Sequence, residues 1–392
     1  MKILIVRTFP DILNLNSYNV QEIGLAKALI IKGHQCDIVL YNGNNKDQRD
    51  PYLFEHDGKK YRFTIYWLKG FVFFKNGFMP SVKKIISDYD VIQVHEYDQI
   101  MSWELYTKPK KPTVIYHGPY YGEYARGYNL KCKIFDHLFL KRRNYKDVVA
   151  LTKSKLATDF LKEKGFQHVI TAGVGINTDN LENCNLDETQ RADYQNDTMQ
   201  NKTEQNGKNL LYVGKIEERR NVYFLIEVFR KLRLKDPDFR LTLIGNGDQE
   251  YKERFLQFIE PELIQGSIIY IEGVTQKELA EYYKQTDLFI FTSNYEIFGM
   301  VLLEAMYFGV PVISSKNGGS TTLIEDGYNG FIINEFNEKI WADCIMNVMQ
   351  NEGQLKDLSQ CARQTIRRYY TWDALADKFL GAYKLAVKEF EG

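Results

Sequence analysis

The sequence lacks the features that mark several large classes of protein. Its 392 residues contain no apolar run approaching the roughly 20 residues of a membrane-spanning helix. Lysine plus arginine and aspartate plus glutamate both total 51, so no overall field favours nucleic acid. No Gly-x-Gly-x-x-Gly motif follows the first predicted strand, which disfavours an NAD-dependent oxidoreductase.

Paired cysteines are also missing. The five cysteines are scattered, odd in number and without a Cys-x-x-Cys pair, at positions 36, 132, 184, 344 and 361. This usage fits a reducing compartment and argues against a zinc site. The opening run Met1–Val6 is too short for a signal sequence, and we expect a cytoplasmic protein.

The first half of the chain alternates apolar runs with amphipathic stretches. The predicted strands are Lys2–Arg7, Gln35–Tyr41, Tyr61–Trp67, Val91–Val94 and Thr113–Tyr116. Helical stretches are expected between them, including one over Val20–Lys32. This alternation predicts a parallel sheet whose ligand crevice lies at the carboxyl ends of its strands.

A second series of strands begins after a polar stretch. Residues 182–208 are rich in Asn, Gln, Asp and Thr and are predicted to be a linker or an inserted loop. The strands expected beyond it are Asn209–Val213, Arg240–Ile244, Ile268–Ile271, Leu288–Phe291, Val310–Ser314 and Gly330–Ile333. We therefore predict an α/β fold with two Rossmann-like domains, 1–178 and 209–371. A last helix, about 372–392, is expected to pack back on the first domain.

The stretch 287–309 carries the most informative pattern. A buried strand is followed by a polar turn and a helix that begins near Gly299, and the first amides of such a helix can hold an anion. Glu296 lies in the turn and Glu304 inside the helix. Because carboxylates repel phosphate, we expect them to accept hydrogen bonds from sugar and ribose hydroxyls. The alternative is a solvated loop acid and a surface helix residue.

An ordered series of motifs resembles a known family. The segments are Val213–Val222, Leu243–Asp248, Gly273-Val274, Ser293–Met306, Gly309–Ile313 and Gly318-Gly319, with looser matches at Gly33-His34, Asp90–His95 and His117-Gly118. This series is similar to the retaining nucleotide-sugar glycosyltransferases of family 4. The resemblance implies the GT-B architecture, in which two Rossmann-like domains face each other across a deep cleft.

The resemblance assigns roles to single residues. Lys215 and Arg220 match the two cations that face the donor's diphosphate and stabilise the leaving group. Lysine at the first position keeps the charge but lacks the planar fork of the family's usual arginine. Glu296 matches the glutamate on the transferred sugar, Glu304 the one on the ribose, and His117 a histidine beside the transferred sugar.

Further residues are implied as donor contacts. They are Phe298, Gly299, Met300, Val301, Gly245, Gly247, Val274, Asn16 and Ser17. Asn16-Ser17 stands where the family has a Gly-Gly pair, so backbone approach to phosphate is harder there. His95 and Glu96 also end a strand at the same crevice, and an acceptor-side role is one hypothesis for them.

Two stretches combine aromatic residues with basic ones. Residues 67–80 and 131–146 could touch a membrane surface or a lipid-linked acceptor. A partly buried helix with a solvated basic face is the alternative. Asp88-Tyr-Asp90 spells a manganese-binding string of another fold, but it precedes a strand, away from the crevice, and is interpreted as a solvated turn.

The resulting hypothesis is transfer of a hexose from a nucleoside diphosphate sugar, a UDP-sugar by preference, to a saccharide acceptor with retained configuration. No metal and no other cofactor are expected. The acceptor is expected to be a cell-surface or lipid-linked glycan. Three alternatives stay open: a sugar-nucleotide epimerase or hydrolase of the same fold, a pyridoxal-phosphate-dependent phosphorylase, and a non-catalytic partner subunit.

Overall fold

The computed structural model describes residues 1–15, 17, 19–73, 76–178 and 208–391. These residues divide into two compact units, one formed by Met1–Ile176 with Tyr370–Gly392 and one by Asn177–Tyr369. The predicted linker at 182–208 lies outside the described residues except for Lys208, which begins a strand.

The first unit is built on an eight-stranded sheet with the order β10-β9-β8-β7-β1-β2-β4-β3. Its strands are β1 (Lys2–Val6), β2 (Gln35–Tyr41), β3 (Gln48–His56), β4 (Lys59–Leu68), β7 (Val91–His95), β8 (Thr113–His117), β9 (Ala150–Thr152) and β10 (Val169–Thr171). A separate two-stranded hairpin joins β5 (Phe71–Phe73) to β6 (Asn76–Phe78). Strands β1, β7 and β8 are almost completely buried, which explains their continuous apolar runs.

The prediction of a parallel sheet is wrong at one edge. A strand that the sequence analysis does not predict, β3, pairs there antiparallel with β4. The two strands are joined by Asp57-Gly58, both with positive φ, which is the sequence preferred in tight hairpin turns. Strand β3 was missed because its largely exposed edge position permits a polar sequence with a proline.

Helices cover the faces of this sheet. They are α1 (Gln21–Ile31), α2 (Ile100–Thr107), α3 (Arg126–Leu138), α4 (Lys155–Glu163) and, from the end of the chain, α13 (Trp372–Glu391). The last helix belongs to the first unit, and the Tyr383 hydroxyl donates to Gln93 Oε1 of β7 at 2.6 Å. Its Phe379 ring packs edge-on against Tyr116 of β8.

The second unit contains a six-stranded, fully parallel sheet with the order β13-β12-β11-β14-β15-β16. Its strands are β11 (Lys208–Val213), β12 (Phe239–Ile244), β13 (Ile268–Ile271), β14 (Leu288–Phe291), β15 (Val312–Ser315) and β16 (Phe331–Ile333). Its helices are α5 (Val222–Lys235), α6 (Gln249–Phe258), α7 (Glu260–Ile264), α8 (Gln276–Gln285), α9 (Met300–Tyr307), α10 (Ser320–Leu323), α11 (Glu338–Gln350) and α12 (Glu352–Tyr369). The predicted α/β fold with two Rossmann-like domains is confirmed.

In each sheet, the direction in which successive strands are added reverses at one pair of neighbouring strands. In the first unit the chain runs outward from β1 in one direction and from β7 in the other. In the second unit the corresponding neighbours are β11 and β14. Loops diverge at such a switch point and leave room for a ligand at the carboxyl ends of the strands. The loops that follow these four strands are therefore where a site is expected.

Candidate functional site

The switch point of the second unit brings together residues far apart in sequence. The loop after β11 carries Arg219 and Arg220, and the loop after β14 carries Glu296. Arg219 Nη1 lies 3.2 Å from Glu296 Oε1 and donates to the Tyr295 carbonyl at 2.9 Å. Arg220 Nη1 also contacts Glu296 Oε1. Both predicted residues, Arg220 and Glu296, thus meet directly.

Burial strengthens the interactions between the charged residues of this cluster. Glu296 is only 9% exposed, so it is not the solvated loop acid considered as the alternative. Burial lowers the pKa of Arg220, and neighbouring Arg219 lowers it further. Glu217 adds a second carboxylate, 2.7 Å from Arg219 Nε and 3.6 Å from Arg220 Nε. Two arginines are therefore held by two carboxylates where an anion could compete for them.

Lys215 is more exposed than Arg220, the second cation predicted to face the diphosphate. It follows β11 and its side chain is exposed to solvent, whereas Arg220 is half-buried. The Tyr212 hydroxyl donates to the Lys215 carbonyl at 3.0 Å and so fixes the backbone of the loop. An exposed ammonium on a fixed loop can reach a phosphate as a mobile point charge.

Helix α9 begins as predicted, just after Gly299. Gly299 has φ 74°, in the left-handed region, and its carbonyl accepts from the amides of Leu302 and Leu303. The amides of Gly299, Met300 and Val301 precede those bonds, at the end of the helix that carries partial positive charge. Phe298, which is buried, leads into this turn.

A glycine loop packs against the Glu296 loop. The Gly318 amide donates to the Glu296 carbonyl at 3.1 Å. A side-chain carbon at Gly319 would lie 2.0 Å from the Phe298 carbonyl oxygen, so only glycine fits there. Asn317 ties the same loop to the segment after β14 by donating to the Ser293 carbonyl at 3.2 Å. The backbone around Glu296 is therefore held rigidly.

Glu304 points into the protein. Its side chain in α9 is 2% exposed, which excludes the alternative of a surface helix residue. The Tyr283 hydroxyl of α8 donates to Glu304 Oε2 at 3.0 Å. A fixed buried carboxylate beside the α9 backbone can accept hydrogen bonds from vicinal hydroxyls.

Gly245 and Gly247 have a role that their sequence did not reveal. Side-chain carbons there would lie 1.9 Å from the Gly214 carbonyl oxygen and 2.0 Å from that of Ile216. The Ile216 amide also donates to the Asn246 carbonyl at 2.9 Å. These glycines let the β12 loop pair with the β11 loop. Val274, in the loop before α8, is half-buried, and Gly273 beside it has open space.

The first loop of the first unit is described only in part. Asn16 lies outside the described residues, and the Ser17 amide donates to the Asn14 carbonyl at 3.0 Å. Nothing in the described part of this loop tests a phosphate contact for Asn16 or Ser17. That role stays a prediction.

The ends of β7 and β8 in the first unit carry a buried histidine–carboxylate pair. His117, at the end of β8, is fully buried, and its Nδ1 lies 2.5 Å from Glu96 Oε2. The Gly118 amide donates to the same oxygen at 3.1 Å, and Lys153 Nζ lies 3.9 Å from Oε1. Burial alone would raise the pKa of Glu96, but His117, Lys153 and the Gly118 amide lower it to about 2.

A second pair lies on the neighbouring strand end. His95 Nδ1 is 3.5 Å from Glu22 Oε1, which is itself 3.6 Å from Arg7 Nε. Burial lowers the pKa of His95 to about 4, although the charge of Glu22 opposes this shift. His95 is therefore neutral at physiological pH. The sequence placed His95 and Glu96 at this edge but gave no sign of their partners.

Three buried side chains at this edge of the first sheet could hold a metal ion. Ligand atoms of Glu96, Asp98 and His117 lie within 4.8 Å of one another. Lys131 Nζ, however, is 2.8 Å from Asp98 Oδ2, and Lys153 stands near Glu96. The protein's own cations thus compensate both carboxylates, which leaves little of the negative charge that a divalent ion requires.

Residues 193–365 match the family model described as Glycosyl transferases group 1. A D-inositol 3-phosphate glycosyltransferase of Stackebrandtia nassauensis is 29% identical over 184 residues, covering 45% of this chain and 41% of that protein. A probable sucrose-phosphate synthase of Thermosipho melanesiensis is 29% identical over 176 residues, covering 44% and 40%. The alignments thus span less than half the length of these curated relatives.

Solved structures are similar over almost the whole chain. A glycosyltransferase from Rickettsia africae superposes with a TM-score of 0.67 at 17% identity and covers 99% of both chains. Anabaena HepE, solved in complex with UDP and glucose, superposes with a TM-score of 0.66 at 15% identity and covers 98% of this chain and 99% of its own. At such identities the likeness establishes the fold. The resemblance drawn from the sequence motifs is confirmed.

Proposed function

Because residues 193–365 belong to the glycosyl transferases group 1 family, we propose that this protein transfers a hexose from a nucleoside diphosphate sugar to a saccharide acceptor. The observation that carries the proposal is the meeting of Arg219, Arg220 and Glu296 beside the start of α9. Cations and helix amides suit a diphosphate, and a fixed carboxylate suits sugar hydroxyls. Uridine is the preferred base, since HepE was solved with UDP and glucose.

The proposed chemistry uses protein charges at the leaving group. Lys215 and Arg220 stabilise the diphosphate as the glycosidic bond breaks, and Glu296 orients the sugar. His117 is proposed to position a sugar hydroxyl. Configuration is proposed to be retained through front-face attack, in which the departing diphosphate accepts the acceptor's proton. The acceptor is proposed to be a cell-surface or lipid-linked glycan, and the reaction to take place in the cytoplasm.

A second candidate is an epimerase or hydrolase that acts on the same donor. It is favoured by the acids and histidines gathered at the edge of the first sheet, namely Glu22, His95, Glu96 and His117. Such residues could activate water or move a proton on the sugar. Dependence on an acceptor distinguishes the two candidates.

The test is a panel of nucleoside diphosphate sugars, incubated with and without saccharide acceptors. Release of the nucleoside diphosphate only with an acceptor supports transfer, and release without one supports the second candidate. NMR coupling constants of the new linkage report the configuration. Arg220→Gln should lower turnover by about 10²-fold or more, since it removes a transition-state cation. Arg254→Gln, on exposed α6, is the matched control. No release from any donor by the wild type would contradict the proposal.

Metal independence is part of the proposal. Lys131 beside Asp98 and Lys153 near Glu96 support it, because they already neutralise the carboxylates that a metal ion would need. Turnover should be unchanged after dialysis against EDTA. Loss of activity that Mg²⁺ or Mn²⁺ restores would contradict it.

Contact with a membrane surface is proposed through α3. None of the described helices is both long and apolar enough to span a bilayer. Helix α3 nevertheless has two apolar faces. Cys132 and Phe135 are buried, whereas Leu130, Ile134 and Leu138 are 61%, 50% and 42% exposed.

The exposed face of α3 is flanked by positive charge. Leu130, Ile134 and Leu138 follow one another at four-residue steps and so form one stripe. Arg126 and Lys133 are exposed beside it. An apolar stripe with cations at its border suits an anionic lipid surface.

Vesicle flotation tests this contact. The protein should bind vesicles that contain phosphatidylglycerol and should bind phosphatidylcholine vesicles much less. The double substitution Leu130→Ser and Ile134→Ser should abolish binding. Leu234→Ser with Ile264→Ser is the control, because these exposed residues lie in the other unit. Equal binding of all variants, or no binding by the wild type, would contradict the proposal.

A further inference from the structure

The surroundings of His117 fix its ring in one orientation. The ring stacks on Phe160 with a centroid distance of 5.5 Å and an interplanar angle of 18°. Tyr97 meets it edge-on at 5.2 Å. The stacking on Phe160 and the contact of Nδ1 with Glu96 Oε2 together hold the ring. The position of Nε2 is therefore determined by the packing.

The Glu96 carboxylate is itself fixed. Its backbone has φ 59°, in the left-handed region that residues other than glycine, asparagine and aspartate rarely adopt. Its Oε2 accepts from the Gly118 amide, directly after His117. Backbone strain of this kind persists only where surrounding contacts enforce it. The Gly118 amide and the His117 ring thus hold the Glu96 carboxylate in place.

The two ring nitrogens have different surroundings. Among the described residues, none is in hydrogen-bond geometry with either buried nitrogen of His117, but Nδ1 is in ion-pair contact with Glu96 Oε2, whereas no described residue pairs with Nε2. Buried polar atoms in proteins are almost always hydrogen-bonded, so an orphan of this kind needs an explanation. A ligand hydroxyl is the explanation that fits the carboxyl end of a strand in this sheet.

We propose that Glu96 is a positioning residue that holds His117 in the Nδ1–H tautomer, so that Nε2 offers a lone pair to a hydroxyl of the bound sugar. The role rests on the function proposed above. A carboxylate behind the imidazole also places a negative charge near the positive charge that develops on the transferred sugar. An analogous aspartate orients the histidine of the Ser-His-Asp triad.

The first test is made on the wild-type protein. In protein labelled with ¹⁵N-histidine, long-range ¹H–¹⁵N correlation at pH 8 should show His117 protonated at Nδ1 and unprotonated at Nε2. Assignment uses His117→Asn. A proton on Nε2 of the free protein would overturn the inference.

Two variants of Glu96 distinguish loss of the hydrogen-bond acceptor from loss of the negative charge. Glu96→Met removes the acceptor, and the His117 tautomer should shift toward Nε2–H. Glu96→Gln can keep an oxygen in the Oε2 position and should preserve the Nδ1–H tautomer. Glu22→Gln, a buried carboxylate beside His95, is the matched control and should leave the His117 signals unchanged. An unchanged tautomer in Glu96→Met would contradict the inference.

Kinetics then connect the tautomer to turnover. Glu96→Met should lower kcat by about 10²-fold or more while KM for the donor changes less than about threefold, since the diphosphate contacts lie in the second unit. Glu96→Gln should recover most of that loss. Equal losses in both variants would overturn the tautomer role. If the tautomer shifts as expected but no donor is turned over by the wild type, the proposed function fails and the positioning role of Glu96 stands.

Discussion

Arg219 and Arg220 show how single residues of this site are kept ready for an anion. Both contact Glu296 and Glu217. A bound diphosphate must compete with these carboxylates for the arginines. Glu296 would then be released to accept hydrogen bonds from the sugar. The ion pairs that stabilise the free site therefore oppose donor binding.

Neutralising Glu296 should separate binding from turnover. In Glu296→Gln, nucleoside diphosphate should bind at least about fivefold more tightly, because a buried ion pair opposes binding by more than the about 1 kcal/mol of an exposed one. Turnover should fall by about 10²-fold, since the sugar loses its carboxylate. Calorimetry and donor turnover measure the two effects.

Glu217→Gln is the comparison for that prediction. It should also tighten diphosphate binding, because Glu217 pairs with the same arginines. It should retain most turnover, since no contact with the sugar is proposed for it. Weaker diphosphate binding in Glu296→Gln would show that Glu296 does not compete for the arginines.

His95 should make the stability of the protein depend on pH. Its pKa is about 4 in the folded protein against 6.5 in the unfolded chain. Between these values the unfolded chain binds more protons, so unfolding free energy falls as pH falls. From pH 7 to pH 5 the loss should be about 2 kcal/mol. Urea unfolding at both pH values measures it.

The variant His95→Gln should flatten that dependence. Its unfolding free energy should fall by about 2 kcal/mol less than that of the wild type over the same range. His137→Gln, at an exposed position on α3, should behave like the wild type. Identical pH profiles for His95→Gln and wild type would contradict the prediction.

Among the elements, the loops after β11 and β12 extend their strands. The Gly214 amide donates to the Ile244 carbonyl at 3.0 Å and the Ile216 amide to the Asn246 carbonyl at 2.9 Å. This pairing continues past the last strand residues toward Arg219 and Arg220. Gly245 and Gly247 permit this backbone pairing. The pairing makes the loop that carries Arg219 and Arg220 more rigid.

Gly247→Ala should therefore destabilise the second unit. Its side-chain carbon would lie 2.0 Å from the Ile216 carbonyl oxygen, and relief requires a shift of backbone. Overpacking of this kind costs about 1–3 kcal/mol. Gly273→Ala, in a loop with open space, is the control and should cost less than about 1 kcal/mol. Urea unfolding compares them, and equal stabilities would contradict the prediction.

Predictability from sequence differed between elements for a physical reason. The run Leu288–Phe291 is buried on both faces, so its apolar sequence alone located β14 with its observed bounds. The edge strand β3 is largely exposed, and only the Asp57-Gly58 turn could have indicated it. A buried strand can be located from its continuous apolar sequence, whereas an exposed edge strand can be located only from the turn beside it.

For the whole molecule, the site depends on strand order more than on any local motif. Arg220 and Glu296 are 76 positions apart and meet because β11 and β14 are neighbours in the sheet. The sequence could nominate both residues, but it could not show that they pair with each other. Side-chain pairing across a switch point is a property of topology.

The central claim is that the second unit binds a nucleoside diphosphate through α9 and its neighbouring loops. Calorimetric titration of UDP into wild type, Glu304→Gln and Glu281→Gln tests it most directly. Glu304 is proposed to accept hydrogen bonds from the ribose, and charged hydrogen bonds of this kind contribute about 1.5–3 kcal/mol. UDP should bind the wild type, bind Glu304→Gln about 10- to 100-fold more weakly, and bind the exposed α8 variant Glu281→Gln unchanged. Absence of binding by UDP and other nucleoside diphosphates, or equal affinity for all three proteins, would contradict the claim.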